Sequence, residues 1–238
     1  MNLKDFNSLV DLFFYQVEKE NSDTPFLEWL NPSNKKTFTW GETSLNIYKL
    51  AKTLKTNITN GDRCLLVSEN RPEWLISDIA IMLANGITVP AYTTYTEKDY
   101  KYLIEDCQPS VIIVSNKEMH DKLKNIINEK SFIKKVITFE KIKEVDYKNK
   151  YLDFDSITKD NLQDIASELS RRRTKRASIL LREVNKRLLE LGAQEVRGSQ
   201  RPSRVASNSK AAASKVREPD SRRVVNERKS TEFSKSKI

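Results

Sequence analysis

Glycine is scarce in this chain. The 238 residues hold five: Gly41, Gly61, Gly86, Gly192 and Gly198. Loops that cradle phosphates need clustered glycines, because the backbone must turn tightly and come close to the anion. Neither G-x-G-x-x-G nor G-x-x-x-x-G-K-[ST] can be drawn from these positions, so a phosphate cradle of either kind is excluded. Histidine is scarcer still: His120 stands alone in a Lys- and Asp-rich stretch and reads as a solvated surface residue. Two cysteines, Cys64 and Cys107, and one histidine do not make zinc-site spacing. Both cysteines flank apolar runs, as buried reduced thiols of a cytoplasmic protein do. No apolar run approaches the ~20 residues that a membrane helix needs, which leaves peripheral contact as the only membrane association expected. The opening Met1-Asn2-Leu3-Lys4-Asp5 does not read as a signal peptide, having no basic region followed by an apolar one.

Aromatic residues run out after residue 160. Of the 20 Phe, Tyr and Trp, only Phe233 lies beyond it. Residues 1–160 carry 22 Lys and Arg against 24 acids; residues 161–238 carry 20 against 9, with arginine replacing lysine as the main cation. A core needs aromatic and branched apolar side chains. The sequence therefore predicts an α/β subdomain over 1–160 and a basic Arg/Lys/Ser-rich tail over 161–238, partly helical and then disordered. The shift in basic residue type reads as a junction between sequences of different origin. Arg171-Arg172-Arg173, Lys175-Arg176 and Arg222-Arg223 could neutralise phosphates of a nucleic acid or another anionic surface. No aromatics interleave them to stack bases, so this stays the alternative reading.

What is present is alternation. Leu3 to Lys19 carries an i, i+3, i+4, i+7 apolar stripe and predicts a helix. Pro25 to Leu30 and Lys35 to Trp40 flank Asn31-Pro32-Ser33-Asn34, a hairpin signal. Thr43 to Thr56 reads as the next helix, capped by Thr39 or Thr43. From Gly61 to Val114 the pattern is strand, helix, strand, repeated: Cys64 to Val67, a helix opened by Pro72, Ile87 to Tyr92, a helix capped by Thr96 with Asp99, and Val111 to Val114. The last run is wholly apolar, as a strand buried on both faces is. Lys117 to Lys130 predicts a helix and Val136 to Phe139 a strand, while Lys141 to Asp160 reads as an insertion or edge segment. Such βαβ alternation predicts a parallel sheet with helices packed on it. Leu162 to Leu169 and Ser178 to Leu191 have helical spacing as well.

Candidates for chemistry are few. Glu69, Glu73 and Asp78 could be proposed as an acid/base set, but Glu73 and Asp78 are five apart on one helix and point different ways. Acids that complement a helix dipole explain them better. Tyr92, Tyr95, Tyr100 and Tyr102 could line a pocket, and packing explains them equally well. No catalytic, cofactor-binding or metal-binding residue is assigned.

Residues 24–115 resemble the N-terminal part of the adenylate-forming superfamily, in particular long-chain fatty acid–CoA ligases. The residues that carry this are Phe38-Thr39-Trp40-Gly41-Glu42, Ala51-Lys52-Thr53-Leu54, Gly61-Asp62-Arg63-Cys64-Leu65 and Asn70-Arg71-Pro72-Glu73-Trp74. Ala84-Asn85-Gly86-Ile87-Thr88-Val89-Pro90 and Asp106-Cys107-Gln108-Pro109-Ser110-Val111-Ile112-Ile113 complete the series. Asn85 stands where a second glycine is usual. The resemblance implies a flavodoxin-like subdomain, and, for the full-length family, ATP, magnesium and coenzyme A acting on a fatty acid through an acyl-adenylate. The family's phosphate loop, T-S-G-T-T-G-x-P-K-G, is absent after residue 160, as are its later motifs. The matched motifs are not catalytic, and Asn70 to Trp74 reads as a strand-to-helix connection.

Overall fold

A computed structural model describes residues 6–31, 34–159, 162–172 and 174–190. The described residues fall in one compact unit; residues 191–238 lie outside the described part. The elements run α1 (Leu9–Lys19), β1 (Pro25–Asn31), β2 (Asn34–Thr39), α2 (Trp40–Lys55), β3 (Arg63–Val67), α3 (Pro72–Leu83), β4 (Ile87–Ala91), α4 (Glu97–Cys107) and β5 (Val111–Val114). There follow α5 (Lys117–Glu129), β6 (Lys135–Thr138), β7 (Tyr151–Asp153), α6 (Phe154–Lys159), α7 (Leu162–Arg171) and α8 (Lys175–Glu190).

Strands β3 to β7 make one parallel sheet in the order β4-β3-β5-β6-β7, and β1 with β2 makes a separate antiparallel hairpin. Counted from β3, this is the flavodoxin-like doubly wound order. The apolar content of β3 and β5 follows from their central place. All four residues of β5 are buried, and Cys64 to Val67 of β3 are too. Alternate side chains divide them between faces: Cys64, Leu66, Val111 and Ile113 join one core with α1, α2 and α3. Leu65, Val67, Ile112 and Val114 join another with α4 and α5.

Local rules set the ends of the helices. Thr39 caps α2 in a reciprocal box, its hydroxyl accepting from the Glu42 amide at 3.2 Å while the Glu42 carboxylate accepts from the Thr39 amide at 3.0 Å. Thr96 and Asp99 repeat this at α4. After α3, Asn85 takes φ 64°, a left-handed conformation that asparagine tolerates better than most side chains. Its place in a turn where glycine is usual is thereby explained.

The composition break at residue 160 does not coincide with an end of packing. Leu162, Ile165, Ala166 and Leu169 of α7 are buried in the core that α1 and α2 share, as are Leu180, Val184 and Leu188 of α8. Their charged residues form the outer faces, which is why the net charge hides the apolar stripe. Residues 1–160 are thus not the whole of the packed body, which includes helices as far as Glu190. At Gly41 a Cβ would sit 2.4 Å from Oε2 of Glu183, so the glycine leaves room for that carboxylate beside the start of α2. The disorder expected toward the end of the tail falls outside the described residues.

Candidate functional site at the carboxyl edge of the sheet

Open parallel sheets bind ligands beyond the carboxyl ends of their strands, where successive crossovers diverge. That point lies between β3 and β5, because α3 packs with one core and α4 with the other. The loop after β3, Ser68 to Arg71, faces Ser115 and Asn116 after β5. Asn116 donates to the Glu69 carboxylate at 3.1 Å, bridging the crevice. Ser115 is buried, and among the described residues its hydroxyl has no hydrogen-bond partner.

Beside the crevice lies a buried ion cluster. Arg71 donates from Nε to Glu73 at 2.9 Å and from Nη1 to Glu140 at 2.9 Å. Lys36, from the hairpin, donates to Glu73 at 2.9 Å. The Arg71 guanidinium stacks 4.3 Å from the Trp29 ring centre and 5.6 Å from that of Phe139. Burial opposes the charge on both partners. It is outweighed, so that Arg71 is held above its ordinary value and Glu73 below. Glu73 is 1% exposed. It is a structural counter-ion here, and not a free acid at the helix start.

The other sequence candidates are dispersed. Asp78 sits further along α3, and Glu69 is exposed and tied to Asn116. Three of the four tyrosines do assemble, Tyr92 with Tyr95 at 5.5 Å and Tyr95 with Tyr100 at 5.8 Å between ring centres. The Tyr100 hydroxyl donates to the Tyr92 carbonyl at 2.7 Å, and burial pushes it up to about 12. Tyr102 stands apart, exposed. His120 departs from expectation: it is buried, with Nε2 3.1 Å from the Tyr151 hydroxyl and its titration lowered by burial. Nothing near it in sequence signals Tyr151, which arrives on β7. Of this basic run, Arg172 is paired with Glu168 at 2.5 Å, while Lys175 and Arg176 come only to 4.0 Å from Glu18. Arg173, Arg222 and Arg223 lie outside the described residues.

A triphosphate with magnesium does not fit the edge residues. The loops 68–71 and 115–116 contain no glycine. Arg71 is already committed to two carboxylates. Among the described residues no group of three His, Cys, Asp or Glu could hold a metal ion. No helix among them is long and apolar enough to cross a membrane.

A polar cleft of about 370 Å³ lies between β2, α2 and α8. It contains Lys49, which is 4% exposed and is pulled down to about 8, first by burial and then by Arg187, against the pull of Glu183. Glu183 is raised, chiefly by burial. An unfolded lysine keeps its proton to 10.5, so between about 8 and 10.5 the unfolded state binds more protons and stability rises with pH. Lys49→Met lacks this proton, so relative to it the parent should gain about 2 kcal/mol of stability between pH 8 and 10. Cys64, pushed up to about 12 by burial, contributes the opposite trend above pH 9 to both proteins and cancels. Urea unfolding of the pair at pH 7, 8.5 and 10 measures this; a gap that does not change with pH contradicts the assignment.

The fold and its edge define a doubly wound α/β subdomain, with an ion cluster beside the crevice at its carboxyl edge. Residues 13–197 match the family model of the AMP-binding enzymes, and the chain belongs to that family. Among curated relatives, the long-chain-fatty-acid–CoA ligase ACSBG1 of Rattus norvegicus is 26% identical over 87 residues, which is 37% of this chain and 12% of the relative. The long-chain-fatty-acid–CoA ligase of Bacillus subtilis (strain 168) is 35% identical over 79 residues, 33% of this chain and 14% of the relative. The crystal structure of the anthranilate CoA ligase AuaEII in complex with anthranoyl-AMP superposes with a TM-score of 0.56 at 20% identity. That match covers 66% of this chain and 29% of that one. The chain thus spans about an eighth of the length of the curated relatives it matches.

Proposed function

We propose that this chain supplies the N-terminal scaffold subdomain of an ATP-dependent fatty acyl-CoA ligase, and that these 238 residues alone do not form an acyl-adenylate. The observation that carries the reading is the flavodoxin-like order β4-β3-β5-β6-β7 in a chain of the AMP-binding family. In such an enzyme, ATP, magnesium and coenzyme A would be held by residues that this sequence does not contain. The part played by the residues present is positional. β3 and β5 set the loops at the carboxyl edge, and Arg71, Glu73 and Lys36 fix the β3–α3 turn against the hairpin. The two free cysteines suit a reducing cytoplasm.

Two measurements test it. Purified protein with ATP, magnesium, coenzyme A and a fatty acid should show no CoA-ester formation and no pyrophosphate exchange; robust turnover overturns the claim of inactivity. A chimera of the Bacillus subtilis relative, with its matched segment replaced by residues 24–115 of this chain, should retain CoA-ester formation. A folded but inactive chimera overturns the scaffold assignment.

A further inference from the structure

The helical layer carries a second cleft, apart from the sheet edge. It has a volume of about 400 Å³, within the range of small-molecule sites, and is lined from α1, α2, α3, α7 and α8. Its floor is apolar, with Phe14, Leu83, Leu169 and Leu180. Its rim is cationic: Lys52, Lys55, Arg172 and Arg176 stand against a single lining acid, Glu168.

That acid is already occupied. Glu168 accepts from Arg172 at 2.5 Å and from the Tyr48 hydroxyl at 3.2 Å, and lies 3.4 Å from Lys52. Lys55 is exposed and makes no ion pair among the described residues. Arg176 reaches Asp11 and Glu18 only at 4.0 Å, beyond hydrogen-bond range, and its guanidinium lies 4.5 Å from the Phe14 ring centre. Among the described residues, a cation with unanswered donors therefore stands directly over the apolar floor.

We propose that this cleft binds a single-chain anionic amphiphile, its hydrocarbon on Phe14, Leu169 and Leu180 and its anionic head on Lys55 and Arg176. The hydrocarbon gains from leaving water, at about 25 cal/mol per Å². The head gains charge-assisted hydrogen bonds from donors that the protein itself leaves over. An uncharged head forgoes the second term, and a cationic head is repelled. The site is separate from the ligase reading: none of these residues lies at the sheet's carboxyl edge, and binding is read without ATP or turnover.

Titration calorimetry of the whole chain with monomeric dodecanoate tests the proposal, with dodecanol and dodecyltrimethylammonium as matched tails. Dodecanoate should bind one to one, at least about tenfold more tightly than either control, the worth of one charge-assisted hydrogen bond. Lys55→Glu changes an exposed residue and should weaken dodecanoate about tenfold while leaving the thermal midpoint unchanged; Arg176→Gln should do likewise. Dodecyl phosphate separates head types: binding equal to that of dodecanoate supports recognition of negative charge, whichever source supplies it. Equal binding of dodecanoate and dodecanol overturns the proposal, as does an unaltered affinity in folded Lys55→Glu. Sedimentation with phosphatidylglycerol vesicles without binding of monomeric dodecanoate overturns it in favour of a membrane surface.

Discussion

Replacing Arg71 with alanine should destabilise the folded body by about 3–5 kcal/mol, as expected when one partner of a buried ion pair is removed. Glu73 is left buried, with Lys36 its one remaining cation among the described residues, and the Trp29 ring loses the guanidinium that covers it. Arg71→Met with Glu73→Leu should recover most of the loss, because no uncompensated charge is then buried. Urea unfolding of the parent, the single and the double variant measures both. A double variant as unstable as the single one would show that the cluster matters through packing. The pH dependence follows in sign. Glu73 titrates below its ordinary value of 4.5, because its bonds to Arg71 and Lys36 outweigh the opposing effect of burial. As pH falls below 4.5 the unfolded state takes up the proton first, and the stability that Glu73 contributes is lost as pH drops through its folded value.

Truncation after residue 160 should have an effect of similar or greater size. It removes the buried Leu162, Ile165, Leu169, Leu180, Leu181, Val184 and Leu188. At about 1.5–3 kcal/mol for each side chain, gross apolar burial on the order of 15 kcal/mol disappears. The chain entropy released with those helices works against this loss. The remaining body does not escape so easily, since α1, α2 and their core residues Phe14 and Leu54 lose the layer that covers them. A chain ending at 160 should therefore aggregate, or melt at least about 10 °C below one ending at residue 191, a shift that corresponds to about 3 kcal/mol. Matching melts for the two truncations would show that α7 and α8 add nothing to the fold. Loss of strong, salt-sensitive RNA binding on removal of 161–238 from a still-folded body would instead favour the tail as the functional part.

The alternation of strands and helices was legible from residue spacing alone. Val111 to Val114 reads as a doubly buried strand and is one, and Thr96 with Asp99 announces the box that starts α4. β7 was hidden in a charged segment, because a three-residue edge strand is too short to show a period. His120 reads as a surface residue from its charged neighbours, yet it points at Tyr151, thirty-one positions on.

That neither G-x-G-x-x-G nor G-x-x-x-x-G-K-[ST] can be drawn was also legible in the sequence, since its five glycines are scattered. Periods, caps and missing residue types are relations among neighbours, and the sequence by itself determined them. What each buried charge meets was decided only by the tertiary structure. Lys36 reaches Glu73 across 37 positions, Arg71 reaches Glu140 across 69, and α8 returns to the start of α2 to close the layer over it. The physical reason is that a buried ion must be paired wherever the fold brings a partner within about 4 Å, and chain distance carries no information about that.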